Sequence, residues 1–181
     1  FEIDSEGWII DEDSMTLAVQ DGGSNGQYLE ASGNSEQNPA HFLAPSEWLG
    51  DWSDYQVLKF DLAITSRHYA DSDVGPILTI ENGDGQTATW RGPTPLWSWA
   101  HYEISLRANT FELSEGTDLS SVLSDVVALR INAEFVSGAV ETIGLDQVVL
   151  TSEPATVHSD DLKHTFTDGS IAGWRPVDDV T

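Results

Sequence analysis

The feature that most constrains the fold is an alternation of apolar and polar side chains that recurs along the chain. In the segment 57–64, the apolar side chains that share one face of an extended backbone are Leu58, Phe60, Leu62 and Ile64. Successive side chains of a β-strand point to opposite faces, so this spacing predicts a strand with one buried face. The segment 101–106 repeats the pattern, with Tyr102, Ile104 and Leu106 on the buried side.

Further segments of the same kind predict about nine short strands in all. In 127–135 the predicted inward set is Val127, Leu129, Ile131, Ala133 and Phe135, and 143–150 is a strand that is apolar on both faces. Weaker candidates are 16–20, 28–32, 41–44, 76–81 and 86–91. Glycine-rich turns such as Asn82-Gly83-Asp84-Gly85 separate them, as is typical of hairpins.

Helical signal is scarce. Residues 46–55 have Trp48 and Trp52 four positions apart, and 118–125 has Asp118 where an N-cap is expected. Many short strands with little helix predict an all-β protein, an antiparallel jelly-roll β-sandwich with one or two short helical turns. Phe60, Ile104 and Ile131 are expected in its core.

The charge of the chain excludes some partners. The 181 residues carry 31 Asp and Glu against 7 Lys and Arg, a formal net charge of −24. Nucleic-acid binding depends on cationic side chains that neutralise phosphates, so DNA and RNA are excluded as partners. Anionic membrane surfaces are disfavoured for the same reason, and no apolar run is long enough to span a bilayer.

Cysteine is absent, which removes disulfides, thiolate metal sites and a cysteine nucleophile. Together with the acidity, this favours a secreted or cell-surface bacterial protein. No signal peptide opens the chain at Phe1, so we expect the exporting signal and neighbouring domains to lie outside this sequence.

The two ends of the sequence are alike. Phe1–Trp8 and Phe166–Trp174 both begin with Phe and end with Gly-Trp, and residues 13–16 are echoed by 178–181. We therefore predict a sandwich domain over 1–151, a linker over 152–163, and the start of a following tandem repeat, or a tail, over 164–181. The alternative is coincidence, since Gly-Trp is only a dipeptide.

One stretch resembles a known family. Residues 42–55, which include Leu49-Gly50-Asp51-Trp52-Ser53, are followed by Leu58-Lys59-Phe60-Asp61-Leu62, and together they resemble the laminin B (laminin IV type A) domain. Gly7-Trp8 and the segments 99–106 and 145–150 fit as well, so the resemblance covers most of residues 1–150. A bacterial laminin-B-like module of a multidomain secreted protein is the best description.

More distantly, the two ends of the sandwich region resemble galactose-binding-like sandwiches, including carbohydrate-binding modules of the xylan and glucan type. That resemblance implies a structural calcium ion held between the first strand near Glu2, the turn from Asp21 to Gly26, and Asp146. Calcium takes 6 to 8 oxygen ligands. The alternative is that Asp146 faces solvent or accepts backbone N–H groups.

Aromatic residues suggest a sugar-binding surface. Trp90, Trp97 and Trp99 lie within ten residues of each other, close to Arg91 and His101 and with Tyr69 as a further candidate. Sugar rings pack their C–H faces on indoles. Trp99 shares strand parity with His101 and is expected to face away from the core. The alternative is that Trp90 and Trp97 close the ends of the sandwich, and Trp48 and Trp52 are expected to be structural.

A polar sheet face would complete such a surface. The side chains with outward parity are Lys59, Asp61, His101, Glu103, Arg130, Asn132 and Glu134. If their strands are neighbours, they form a groove that binds sugar hydroxyls. The alternative is cross-strand ion pairing on a solvated sheet.

No catalytic motif is present. The sequence has no Gly-x-Ser-x-Gly, His-Glu-x-x-His, phosphate loop or dinucleotide fingerprint, and acidic pairs are too abundant to be informative. We therefore expect a non-catalytic carbohydrate-binding or adhesion module, with glycan or extracellular polysaccharide as partner. The alternatives are a structural spacer repeat without sugar specificity, or an accessory domain of a polysaccharide-degrading enzyme.

Overall fold

The computed structural model describes residues 5–33, 39–65, 75–135 and 139–152. The predicted metal ligand Glu2, the aromatic Tyr69, and residues 153–181, which contain nearly all of the predicted linker and the whole predicted repeat, lie outside these ranges.

Two antiparallel sheets pack face to face, as the sequence predicts for a jelly-roll sandwich. The six-stranded sheet has the order β1 (Ile9–Ile10), β4 (His41–Leu43), β10 (Val126–Asn132), β6 (Leu78–Asn82), β7 (Thr87–Trp90) and β9 (Glu112–Leu113). The five-stranded sheet has the order β2 (Met15–Gly23), β3 (Gly26–Gly33), β11 (Glu141–Thr151), β5 (Val57–Ile64) and β8 (Ala100–Ser105). All five of the weaker strand candidates are strands.

The inward faces of the two sheets form the core. Phe60 and Ile131 are fully buried and Ile104 is 1% exposed, which confirms the alternation from which they were predicted. The ring of Phe60 stacks on that of Tyr102, with 5.2 Å between centroids. Tyr102 donates a hydrogen bond from its hydroxyl to the Pro93 carbonyl, and burial raises its pKa to about 12.

Helical structure is limited to the predicted places and one more. The helix α1 (Leu119–Leu123) begins after Asp118, whose carboxylate accepts the backbone N–H of Ser121 at 2.9 Å. Hydrogen bonds from the Ser120 hydroxyl and from Ser121 hold the pKa of Asp118 below its usual value. Two 3₁₀ turns, Ser46–Trp48 and Ala108–Thr110, complete the helical content of the described ranges.

The segment after β4 is anchored by aromatic side chains. Trp52 is 1% exposed and donates its indole N–H to the Trp48 carbonyl at 2.8 Å. Trp48 in turn meets the edge of the buried Trp8 ring, 5.9 Å away. These contacts give both predicted structural tryptophans a packing role.

The inward position predicted for Val127 is wrong, because β10 is irregular at its start. The pairing of β10 with β6 shifts between Val126 and Ala128, which is a β-bulge. A bulge inserts one residue and so reverses which side chains point inward. Val126 is therefore buried, whereas Val127 is 45% exposed.

No helix in the described ranges has the length and apolarity that crossing a bilayer requires.

Truncation of the central core residue should test the sandwich. We expect Phe60→Ala to lower the free energy of unfolding by about 3–5 kcal/mol, because it removes buried apolar area and leaves a cavity. Val127→Ala, at an exposed position, should change it by less than about 0.5 kcal/mol. Urea denaturation monitored by tryptophan fluorescence measures both, and equal midpoints for the two variants would contradict the assignment of the core.

Candidate functional site

The outer face of the five-stranded sheet brings together several of the predicted binding residues. Strands β5 and β8 are neighbours, and their register sets Asp61 opposite His101 and Lys59 opposite Glu103. Trp99 immediately precedes β8 with the same parity as His101, so it stands on this outer face, away from the core as predicted.

Two further strands extend this face. β11 pairs with β5 on one side and with β3 on the other, which sets Gly144 between Ala63 and Glu30. Tyr28, two residues before Glu30 on β3, has the same outward parity. We call this surface the Trp99 face; its members are Tyr28, Glu30, Lys59, Asp61, Ala63, Trp99, His101, Glu103 and Gly144.

An aromatic pair spans the middle of the Trp99 face. The Trp99 ring, at the edge strand β8, meets the Tyr28 ring of β3 edge to face, with centroids 5.2 Å apart. Two strands, β11 and β5, lie between them in the sheet. The indole reaches across because Gly144 has no side chain: a Cβ there would lie 2.6 Å from Trp99 and 3.0 Å from Tyr28. Ala63 on β5 is accordingly only 2% exposed although it points outward.

Tyr28 is held in a fixed orientation as a hydrogen-bond donor. Its hydroxyl donates to the Glu30 carboxylate at 2.7 Å. Burial, together with the hydrogen bond and the negative charge of Glu30, raises the pKa of Tyr28 to about 12. The phenol therefore stays protonated at any physiological pH.

Charged side chains flank the aromatic pair. The nearly buried Asp61 lies 2.6 Å from His101 Nδ1, and the imidazole side chain is 54% exposed. Lys59 Nζ lies 3.2 Å from a Glu103 oxygen. The Asp61 contact fixes the imidazole through Nδ1, so the other ring nitrogen, Nε2, is the one available to a ligand. These pairs also match the alternative of cross-strand ion pairing.

The predicted grouping of Arg130, Asn132 and Glu134 with Lys59 on one face is wrong. β10 belongs to the six-stranded sheet, so its outward side chains lie on the opposite side of the sandwich from the Trp99 face. Arg130 pairs with Glu81 at 2.6 Å. Asn132 is buried because its side chain folds back to accept the backbone N–H of Glu134, where the strand ends.

Of the other two tryptophans of the predicted cluster, Trp90 does not join the Trp99 face. Trp90, on β7 of the six-stranded sheet, packs its ring edge on Tyr102 at 5.8 Å and covers Gly92, which fits the structural alternative. Arg91 beside it is exposed and pairs with Glu112 at 3.3 Å. Trp97 is 55% exposed and lies two residues before Trp99, so its role as a sugar-stacking residue stays a prediction.

Asp146 is fully buried at the turn between β2 and β3, where the resemblance places it. One oxygen accepts hydrogen bonds from the Ser24 hydroxyl at 3.0 Å and the Asn25 backbone N–H at 3.2 Å, and the other accepts the Gln147 N–H at 2.8 Å. Gly23 makes room for this approach, since a Cβ there would lie 2.5 Å from the carboxylate. Three donors thus stabilise the buried charge.

The predicted calcium ligands in the described ranges already have hydrogen-bond partners. The Asp21 carboxylate accepts a hydrogen bond from Gln27 at 3.0 Å. Within the described ranges no group of three or more His, Asp or Glu side chains is arranged to hold a metal ion. Asp146 accepting N–H groups is the alternative that the sequence left open, and the calcium ion stays a prediction that depends on Glu2.

Sequence reasoning missed Tyr28, Glu30 and Gly144. A usable signal existed for each. The parity of the 28–32 strand sets Tyr28 and Glu30 on one face, and a glycine inside a strand often marks the close approach of another group.

Comparison with solved structures confirms the suspected fold. The L4b domain of human laminin alpha-2 is similar with a TM-score of 0.54 and 12% identity, over 84% of this chain and 97% of that one. A family 11 carbohydrate-binding module from Clostridium thermocellum, in complex with a β-1,3-1,4-mixed-linked tetrasaccharide, gives 0.53 and 18% over 84% and 91%. An exo-β-agarase gives 0.58 and 14%, over 86% of this chain and 24% of that one.

No protein-family model matches the sequence, and no curated protein does either. The structural neighbours therefore establish that this chain has the sandwich fold shared by laminin-like domains and carbohydrate-binding modules. At these identities they establish the fold alone.

Filling the space at Gly144 should disturb the aromatic pair. We expect Gly144→Ala to lower the free energy of unfolding by about 1–3 kcal/mol, since the new methyl group overlaps Trp99. The near-ultraviolet circular dichroism of the pair should weaken with it. Gly75→Ala is the matched control, because no atom lies within 4 Å of a Cβ built there. Equal spectra and stabilities for the two variants would refute the packing described here.

Proposed function

We propose that this chain is a non-catalytic carbohydrate-binding module whose Trp99 face holds a glycan. The observation that carries the proposal is the Trp99–Tyr28 pair, which crosses the outer face of a sheet and is flanked by the exposed His101 ring. Trp99 is only partly buried by its contact with Tyr28, so the indole keeps an open surface on which a sugar ring can stack.

The chemistry of the face suits a sugar. A pyranose ring offers an apolar C–H face to an indole, while its hydroxyl groups both donate and accept hydrogen bonds. The His101 ring and the Lys59–Glu103 pair supply such partners beside the aromatic pair. The carboxylates on the face and the net charge of −24 favour a neutral glycan over an anionic one.

The structural neighbours support a carbohydrate-binding function. One is described as a carbohydrate-binding module in complex with a tetrasaccharide, and the similar part of the exo-β-agarase is about a quarter of that chain. They also support the narrower version in which this module accompanies a polysaccharide-degrading enzyme. A module that binds extracellular polysaccharide has to be secreted or displayed at the cell surface to reach it.

A structural or adhesive role is the second candidate. The similarity to the laminin L4b domain favours it, as does the ion pairing of the outer face, which stabilises the sheet without any ligand.

The predicted tandem repeat would suit such a structural role, because repeated copies extend a surface protein. Gly7 has a positive φ of 80°, a Cβ there would lie 2.9 Å from Pro45, and Trp8 is buried. A Gly-Trp pair therefore has a structural use that a second copy beginning near 166 would need again.

Removal of the indole should weaken glycan retention. We expect Trp99→Ala to weaken binding to a neutral polysaccharide about tenfold or more, because the stacking surface is lost. Affinity electrophoresis through gels that contain mixed-linkage β-glucan, xylan or agarose, with alginate as an anionic comparison, measures it. Arg91→Ala, an exposed change on the opposite sheet, should leave retention unchanged.

The spacer role gains if no polysaccharide retards the wild-type protein. Retardation that is equal in wild type and Trp99→Ala would remove the Trp99 face from the proposal.

We also propose the structural calcium ion that the resemblance implies. An ion that binds only the folded state raises the midpoint of thermal unfolding by mass action. We expect a higher midpoint in millimolar calcium than in chelator for the whole chain, and a smaller difference for Asp146→Asn. The same midpoint in both buffers would reject the ion and leave the hydrogen bonds from Ser24, Asn25 and Gln147 as the whole explanation of the buried carboxylate.

A further inference from the structure

A cleft lies at one end of the sandwich, where β5 begins and β8 ends. Its volume is about 440 Å³, within the roughly 300–1,000 Å³ usual for small-ligand pockets. The floor is apolar and consists of Leu106, Leu119 and Leu123, which are 5–7% exposed. The polar part of the lining consists of Ser53, Tyr55, Arg107, Asp118 and Ser120.

The cleft is separate from the Trp99 face. Tyr55 precedes the first residue of β5, whereas Ala63, which lies under the Trp99–Tyr28 pair, is close to the last. At about 3.3 Å per residue, the two places are roughly 20 Å or more apart along the strand. A ligand of one or two sugar rings therefore occupies one of them and does not reach the other.

Tyr55 differs from the other tyrosines that the structure describes. Tyr28 and Tyr102 donate their hydroxyl groups to Glu30 and to the Pro93 carbonyl. Tyr55 is 39% exposed, and its hydroxyl makes no hydrogen bond to any described residue. A partly exposed ring with an unused donor thus belongs to the lining of the cleft.

Arg107 differs from the other cations in the same way. Of the four Lys and Arg residues in the described ranges, Lys59, Arg91 and Arg130 each pair with a carboxylate. Arg107 instead makes one long hydrogen bond, 3.4 Å, to the Gln56 side chain, and no described carboxylate lies within ion-pair distance. Arg107 is therefore the one described cation with no described carboxylate partner.

We propose that this cleft is a second binding site and that it takes a neutral sugar residue. The apolar floor and the Tyr55 ring would pack against the C–H face of the sugar. The Arg107 guanidinium and the Tyr55 hydroxyl would donate to sugar oxygens, and the Asp118 carboxylate, fixed by its hydrogen bonds to α1, would accept from a hydroxyl.

The charges around the cleft select the ligand class. Arg107 and Asp118 both lie in the lining, so an anionic sugar meets the Asp118 carboxylate. A cationic amino sugar would meet Arg107. A neutral sugar satisfies the free donors and the acceptor without either repulsion.

The site goes beyond the proposed function of the Trp99 face and does not depend on it. With two sites, one module contacts two stretches of a polysaccharide, and the second contact benefits from a high effective concentration. Binding to polymer would then be tighter than either site alone provides.

The test is an NMR titration of the whole chain with D-glucose, D-galactose and D-xylose, with D-glucuronate as the anionic comparison. Amide shifts around Tyr55, Leu106 and α1 report this cleft, and shifts around Tyr28 and His101 report the Trp99 face. We expect at least one neutral sugar to shift the cleft amides in wild type and in Trp99→Ala alike. Tyr55→Ala and Arg107→Ala should each raise its dissociation constant about tenfold or more.

Tyr55→Phe separates the ring from the hydroxyl and should have a smaller effect than Tyr55→Ala. Circular dichroism of each variant shows that the fold is kept, as expected for exposed positions. Shifts confined to the Trp99 face, or cleft shifts that persist unchanged in Tyr55→Ala, would overturn the second site and leave the proposed function intact. Tighter binding of D-glucuronate than of every neutral sugar would overturn the ligand class.

Discussion

The burial of one face of β5 is the interaction on which the rest of this structure depends. Leu58, Phe60, Leu62 and Ile64 have almost no exposed surface, so the strand cannot shift by one residue without turning all four to solvent. This fixes its register with both neighbours. The register in turn sets Asp61 opposite His101 on one side and Ala63 opposite Gly144 on the other. The hydrophobic core therefore positions the polar face that it does not touch.

The Trp99 face is a site made by small residues as much as by large ones. Trp99 crosses two strands because Gly144 offers no side chain and Ala63 only a methyl group. A larger residue at either position would lift the indole and separate it from Tyr28. The support under the indole is thus built into two central strands, although Trp99 itself lies in the segment just before β8.

Sequence alone predicted the strands and the core well, because alternation is a local property that burial enforces directly. It also placed Trp99, Asp61 and His101 on an outward face. It did not reveal that Arg130 lies on the opposite sheet, since parity tells which side chains share a face of one strand and says nothing about which strands are neighbours. The bulge at Val126 was hidden for a related reason: an extra residue is set by the pairing partner, and Val127 taken alone fits the pattern. The cleft at Tyr55 depends on three segments distant in sequence, so no spacing could indicate it.

The small number of ion pairs has a consequence for how the stability of this molecule depends on salt. Three of the four described cations already have a carboxylate partner, so most of the acidic side chains have no basic residue left to meet. Mutual repulsion among them acts outward on the compact state and weakens as dissolved ions shorten the range of the field. The folded state of so acidic a protein is therefore expected to be more stable at the salt concentration of seawater or brine than in dilute buffer.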